Sequence, residues 1–349
     1  MLDLPRIRCA PFHESQGADP IGSAGSYDGF LVVDVLLPWE REVTGQEPLA
    51  SVAGGPTGAV EAGDGMRWRP LARVPLAADA SAGRRRVTEH RARRVEVDGR
   101  VLRGPYERRD WVVDEADVVA VGRAVLGLDP VDGAEPFDPG ATDGAIDGAT
   151  DVPAAEVLVC THGRRDQCCG SLGTSMYEDL VHVLAESGAQ VRHQRISHTG
   201  GHRFAPTAIT FPDGYAWGHL DAARTDLLVR RAEPPSLLAA HCRGTALFAG
   251  GPAQAADRAG LVELGWDWAD AARGVEVVAF DRTTMATTVR ATALLPDGSL
   301  RAFDSVVVPD RHIPSPTCGI VDGPEYGVDT VWRVDRTVEV EPVAASPVP

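Results

Sequence analysis

Residues 129–153 read DPVDGAEPFDPGATDGAIDGATDVP, a run rich in Asp, Gly, Ala and Pro with no basic residue. Such a segment buries little apolar surface and repels itself, so it is expected to be an acidic flexible linker. It cuts the 349-residue chain into parts that must each build a core, in keeping with a length too great for one typical domain. Net charge is −16, which disfavours nucleic-acid binding, since that binding feeds on positive charge. All 34 basic residues are arginine. No apolar run approaches the roughly 20 residues that cross a bilayer, and the N-terminus shows no secretory pattern, so no membrane association and a cytoplasmic location are expected.

Residues 1–128 are expected to form an N-terminal α+β domain. Phe30–Leu37 reads as a strand, and the run Arg94–Leu102 as a hairpin turning at Asp98-Gly99. Trp111–Leu128 reads as a strand running into a helix. Residues 154–243 give a compact α/β unit. Val157-Leu158-Val159 is a strand core ending at Cys160. Ser175 and Glu178 fit a capping box that opens a helix, whose apolar face is Met176, Leu180, Val183 and Leu184 and whose stop is Gly188. Val191–Ile196 is a second strand, Ala208–Phe211 and Tyr215–Trp217 a hairpin, and Asp221–Ala232 a second helix. Residues 244–349 are expected to form a C-terminal α+β extension, helical over Ala246–Ala272, with strands at Val275–Phe280, Thr287–Leu295 and Leu300–Val308.

Six cysteines occur in the chain, unevenly spaced, three of them within ten residues. In a reducing compartment this pattern points to metal or redox chemistry rather than to a disulfide framework. Two segments concentrate it: CTHGRRDQCCG from Cys160 to Gly170, and HTGGHRFAPT from His198 to Thr207. Both follow expected strands of the same unit, and loops leaving one end of a sheet converge. Iron–sulfur clusters take thiolate ligands, and imidazole replaces thiolate on one iron in some of them. A Cys-x8-Cys loop is long enough to wrap a cluster edge, and Gly200-Gly201 lets the backbone between His198 and His202 curl so that both rings face one metal. Cys168 and Cys169 are both candidates to partner Cys160.

These two segments resemble the sucrase/ferredoxin-like family, whose members belong with the thioredoxin-like [2Fe-2S] ferredoxins. The resemblance is dense over 154–243 and weaker near Cys9 and Asp19-Pro20-Ile21-Gly22. It implies a thioredoxin-like ferredoxin domain of the order strand-helix-strand-hairpin-helix. It also implies a [2Fe-2S] cluster held by Cys160, Cys169, His198 and His202. His162, Asp166, Cys168, Thr199, Gly200, Gly201 and Arg203 would surround those ligands, Asp166 ordering its loop, with Arg164, Arg165 and Arg203 either bonding to sulfide or docking an acidic partner, or standing as solvated loop charges. The implied function is electron transfer with a redox partner protein, not sugar hydrolysis, which needs paired carboxylates. Two neutral imidazoles in place of two thiolates put the potential above that of a four-cysteine cluster. A Cys2His2 zinc site and a thiol oxidoreductase are the competing readings. Cys9, His90, His219, His241, Cys242 and Cys318 read as structural or surface residues, and the ten arginines between Arg84 and Arg109 as a solvated sheet face.

Overall fold

The computed structural model describes residues 8–131, 155–318 and 327–342. From residue 132 to residue 153 the expected linker lies outside the described residues, as does the expected frayed end at 343–349. The described chain is mixed α/β and is built on one fourteen-stranded sheet. From one edge the strands run Cys242–Thr245, Tyr215–Trp217, Ala208–Phe211, Glu156–Cys160, Arg192–Ile196, Arg67–Arg73, Gly29–Asp34, Arg84–Val97, Arg100–Asp114, Ala272–Phe280, Thr287–Leu294, Leu300–Ser315 and Gly327–Val340. A short strand, Val60–Glu61, pairs off this path with Arg67–Arg73.

The strand groups meet at narrow seams. One in-register pair, Arg73 with Ile196, joins the first 130 residues to the strands that carry the cysteine and histidine segments. One pair, Arg103 with Arg273, joins them to the C-terminal strands. Each seam holds a buried arginine. Arg73 pairs with Asp34 at 2.6 Å and donates to Thr88 Oγ1 at 2.9 Å. Arg273 pairs with Asp257 at 3.1 Å, donates to the Asp213 carbonyl at 2.7 Å and bonds to the Tyr215 hydroxyl. A buried charge is tolerated only when it is paired and hydrogen-bonded in this way.

The hairpin at Asp98-Gly99 joins strands far longer than the sequence pattern suggested, 14 and 15 residues. Its two turn residues have φ of 48° and 74°, the left-handed pair that Asp-Gly favours in a two-residue hairpin loop. Several of its arginines pair with nearby carboxylates, Arg85 with Glu115, Arg86 with Asp79, Arg91 with Glu89 and Arg108 with Asp110.

The order strand, helix, strand, hairpin, helix holds between Glu156 and Arg230. Glu156–Cys160 is parallel to Arg192–Ile196 and antiparallel to Ala208–Phe211. The first helix departs from expectation. It spans Gln167–Ser187, nine residues earlier than the Ser175/Glu178 box implied, and Asp166 is its N-cap. Gly170 and Gly173 hid the start, because glycine weakens a helix locally. Both are required by packing: a side chain on Gly173 would overlap the Cys160 carbonyl, and one on Gly170 would strike Gly163. The C-terminal region also differs. Cys242–Thr245 is a strand, helix returns only at Gly251–Leu264 and Trp266–Ala269, and the last strand, Gly327–Val340, was not anticipated. No helix among the described residues is long and apolar enough to cross a membrane.

Candidate metal centre

Cys160 ends a fully buried strand, and its N–H bonds to the Thr207 carbonyl at 3.0 Å. The chain then turns, and Thr161 N–H reaches the Ile196 carbonyl at 3.0 Å. The loops after the two parallel strands are thereby tied side by side. Asp166 accepts the N–H of Cys168 at 2.8 Å, which starts the helix. Successive helical residues point about 100° apart, so the two adjacent cysteines diverge.

Cys169 turns toward Cys160 and His198. The two sulfurs and the imidazole nitrogen lie within 4.8 Å of one another, with His198 Nδ1 3.9 Å from Cys160 Sγ and 3.8 Å from Cys169 Sγ. Both cysteines are buried. The hydrogen bond from Cys169 holds the Cys160 thiol well below the usual range against the opposing effect of burial, with His198 assisting. The same bond, with burial, pushes Cys169 up.

His202 stands one ring away. Its centroid is 6.0 Å from that of His198, and its Nδ1 lies 3.3 Å from Cys9 Sγ and 3.4 Å from Asp166 Oδ2. Burial lowers its pKa to about 4 despite the Asp166 charge. The structure therefore gathers three of the four expected donors, while His202 faces Cys9 and Asp166. Gly200 and Gly201, between the two histidines, have φ of 86° and 71°, a region that suits glycine.

Cys168 points the other way, 3.3 Å from Cys318 Sγ. Cys318 Sγ is 3.4 Å from Cys9 Sγ, so Cys9 and Cys318, which read in the sequence as structural or surface residues, gather beside the site. His162 also turns away. It bonds to the Glu40 carbonyl at 2.9 Å and packs edge-on against Trp39, pinning its loop to the N-terminal region. Arg164 and Arg165 pair at the surface with Glu40 and Glu42. Thr199 is buried and makes only a long contact with the Gly200 carbonyl. Arg203 bonds to Asp329, which His13 also approaches at 3.2 Å.

Arg243 escaped the sequence reading. It is buried, donates to the Gly200 carbonyl at 3.1 Å, to Ser23 Oγ at 3.1 Å and to the Ser23 carbonyl at 2.8 Å, and fills the space that a side chain on Gly201 would occupy. Burial lowers its pKa to about 10, offset in part by the Cys169 and Cys160 charges. No spacing pattern marks it; only the strand order brings it under the histidine loop.

Two buried thiols and an imidazole meeting at the ends of adjacent strands define a candidate soft-metal centre. The family model described as sucrase/ferredoxin-like matches residues 20–244, and the chain belongs to that family. It is similar to two curated yeast proteins, both called altered inheritance of mitochondria protein 32. The one from Meyerozyma guilliermondii is 34% identical over 64 residues, 18% of this chain and 23% of that protein. The one from Debaryomyces hansenii is 36% identical over 56 residues, 16% of this chain and 20% of that protein. The chain thus matches less than a quarter of either relative's length. Among solved structures, a thioredoxin-like [2Fe-2S] ferredoxin from Aquifex aeolicus is similar at a TM-score of 0.22 and 15% identity, over 25% of this chain and 90% of that one.

Proposed function

We propose that this chain is an electron carrier that holds a [2Fe-2S] cluster through Cys160, Cys169, His198 and His202 and exchanges electrons with redox protein partners. The observation that carries this reading is the meeting of Cys160, Cys169 and His198 within 4.8 Å. The donor set fits the group, because soft thiolates with imidazole are ligands that such clusters accept. When bound, the cluster would take up and return one electron.

The chain's own residues supply the setting. The strand end and the helix start fix the two sulfurs. The glycine loop holds His198 at the two sulfurs, and His202, one ring away, would turn from Cys9 and Asp166 to complete the set. Arg243 places a buried positive charge under that loop, which offsets negative charge at the thiols. Membership of the sucrase/ferredoxin-like family supports the same reading, as does the parallel pair followed by an antiparallel hairpin expected of a thioredoxin-like unit.

The test is anaerobic purification with iron and sulfide analysis. About two of each per chain is expected, with a red-brown colour. His198→Cys and His202→Cys should keep a cluster with an altered visible spectrum and a lower potential, and His198→Ala should lose it. A colourless protein carrying one zinc would replace this reading with a structural zinc site. Thiol–disulfide exchange activity that survives His198→Ala would favour a thiol oxidoreductase.

A further inference from the structure

We propose that Cys9, Cys168 and Cys318 form a second metal site beside the first, a three-cysteine pocket for a single zinc ion, with the Asp166 carboxylate as fourth donor. This goes beyond the cluster reading and does not rest on it.

Three sulfurs from three distant parts of the chain converge there: the first turn of the helix Cys9–Ser15, the first turn of the helix Gln167–Ser187, and the residues just after the strand Leu300–Ser315. Their ligand atoms and those of Asp166 lie within 4.8 Å of one another. The Cys168–Cys318 and Cys318–Cys9 sulfurs are 3.3 and 3.4 Å apart, and the Asp166 oxygens are 3.5 and 3.6 Å from Cys9 Sγ. Zinc–sulfur bonds of about 2.3 Å in a tetrahedron set sulfurs about 3.8 Å apart. The pocket therefore opens by a few tenths of an ångström to admit the ion. A disulfide would need one pair to close to about 2.0 Å and would leave the third thiol without a role.

The surroundings also suit a closed site. Cys9 and Cys168 are fully buried. The Cys9 N–H points to Cys318 Sγ at 3.4 Å, and the Cys318 and Cys168 N–H groups point to the Asp166 carboxylate at 3.4 and 2.8 Å. Such N–H bonds orient ligands and draw off their charge. The site sits at the N-terminus of a 21-residue helix, whose partial positive charge offsets the excess negative charge of three thiolates and a carboxylate on a divalent ion. Binding is an exchange of ion for protons. Three S–H protons pass to solvent, three zinc–sulfur bonds and one zinc–oxygen bond form, and no electron moves. The ion would staple both flanking regions to the domain that holds the first site.

The experiment uses the full chain, purified anaerobically with its iron in place, and adds Zn2+, with Co2+ as a visible stand-in. One equivalent should bind, the cobalt form showing sulfur-to-metal charge transfer and tetrahedral bands. Cys318→Ser should weaken zinc binding about a hundredfold or more while iron, sulfide and the visible spectrum of the cluster stay unchanged, and Cys9→Ser should weaken zinc binding alike. Cys318 is only partly buried, so its variant keeps the test open if Cys9→Ser does not fold. Three results would overturn the proposal: no zinc or cobalt bound beyond iron, iron lost from Cys318→Ser, or a mass two hydrogens lighter locating a disulfide among these three residues.

Discussion

The carboxylate of Asp166 accepts the backbone N–H of Cys168 at 2.8 Å, and that one bond sets where the cysteine helix begins. The helix start in turn decides that Cys169 and Cys168 serve opposite sides. Removing the cap by Asp166→Ala should cost about 1–2 kcal/mol of stability and lower the iron retained on purification. Asp166→Asn, which also caps well, should recover most of the stability. Denaturant unfolding of the three proteins checks both statements, and equal midpoints for the alanine variant and the parent would refute them.

Gly173 lets the helix lie against the Cys160 carbonyl. Gly173→Ala should push the helix off the strand end, destabilise by about 1–3 kcal/mol and reduce cluster content. Gly188, the C-cap of the same helix with φ of 66°, has open space around it. Gly188→Ala should cost about 1–2 kcal/mol from the left-handed backbone alone and leave iron content at the parent level. Metal analysis of both variants distinguishes damage to the site from damage to the helix.

Arg243 remains charged at neutral pH, since burial lowers its pKa only to about 10. Taking away that positive charge makes electron uptake nearby less favourable. Arg243→Met should lower the reduction potential, on the order of 100 mV for a unit charge within about 10 Å at an effective dielectric near 20. Voltammetry at pH 7 reads the shift, and an upward or absent shift would show that the guanidinium acts on loop shape alone.

Burial, with the nearby His13, His241 and Arg243 charges, lowers the pKa of His219 from the usual value of about 6.5 to about 4. Between those values the unfolded chain takes a proton that the folded ring refuses. The contribution is therefore fully present above pH 6.5 and is lost as pH falls toward 4, at no more than about 1.4 kcal/mol per pH unit. His219 has φ of 51°, which asparagine tolerates. His219→Asn should lose less stability than the parent between pH 7 and pH 4.5. Parallel curves across that range would remove His219 from the acid response.

Local chemistry made much of the fold legible. Pro212-Asp213-Gly214 marked its hairpin, Gly188 marked a helix end, and the apolar run before Cys160 marked the strand that positions it. The helix start was hidden because Gly170 and Gly173 answer to tertiary packing rather than to helix propensity. The alternation in VDTVWRVDRTVEV is interrupted by the charged pair Asp335-Arg336, yet it forms the strand Gly327–Val340. For the site, the two short segments disclosed Cys160, Cys169 and His198, and loop spacing alone could not say which way Cys168 or His202 faces. The approach of Cys9 to Cys318, 309 positions apart, and the placing of Arg243 depend on strand order across the sheet, which no local pattern encodes.

The two single-pair seams give the molecule fault lines. The ion pairs Arg73 with Asp34 and Arg273 with Asp257 each lie within one strand group beside a seam, while Arg273 also reaches the Asp213 carbonyl and the Tyr215 hydroxyl of the neighbouring group, and partial opening should follow the thinly bonded boundaries first. Neutralising Asp257 would leave Arg273 stranded without its counter-ion, and the C-terminal strands would exchange their amide hydrogens as one block. Because Asp213 and Tyr215 share that network, the hairpin Ala208–Trp217 would loosen with them.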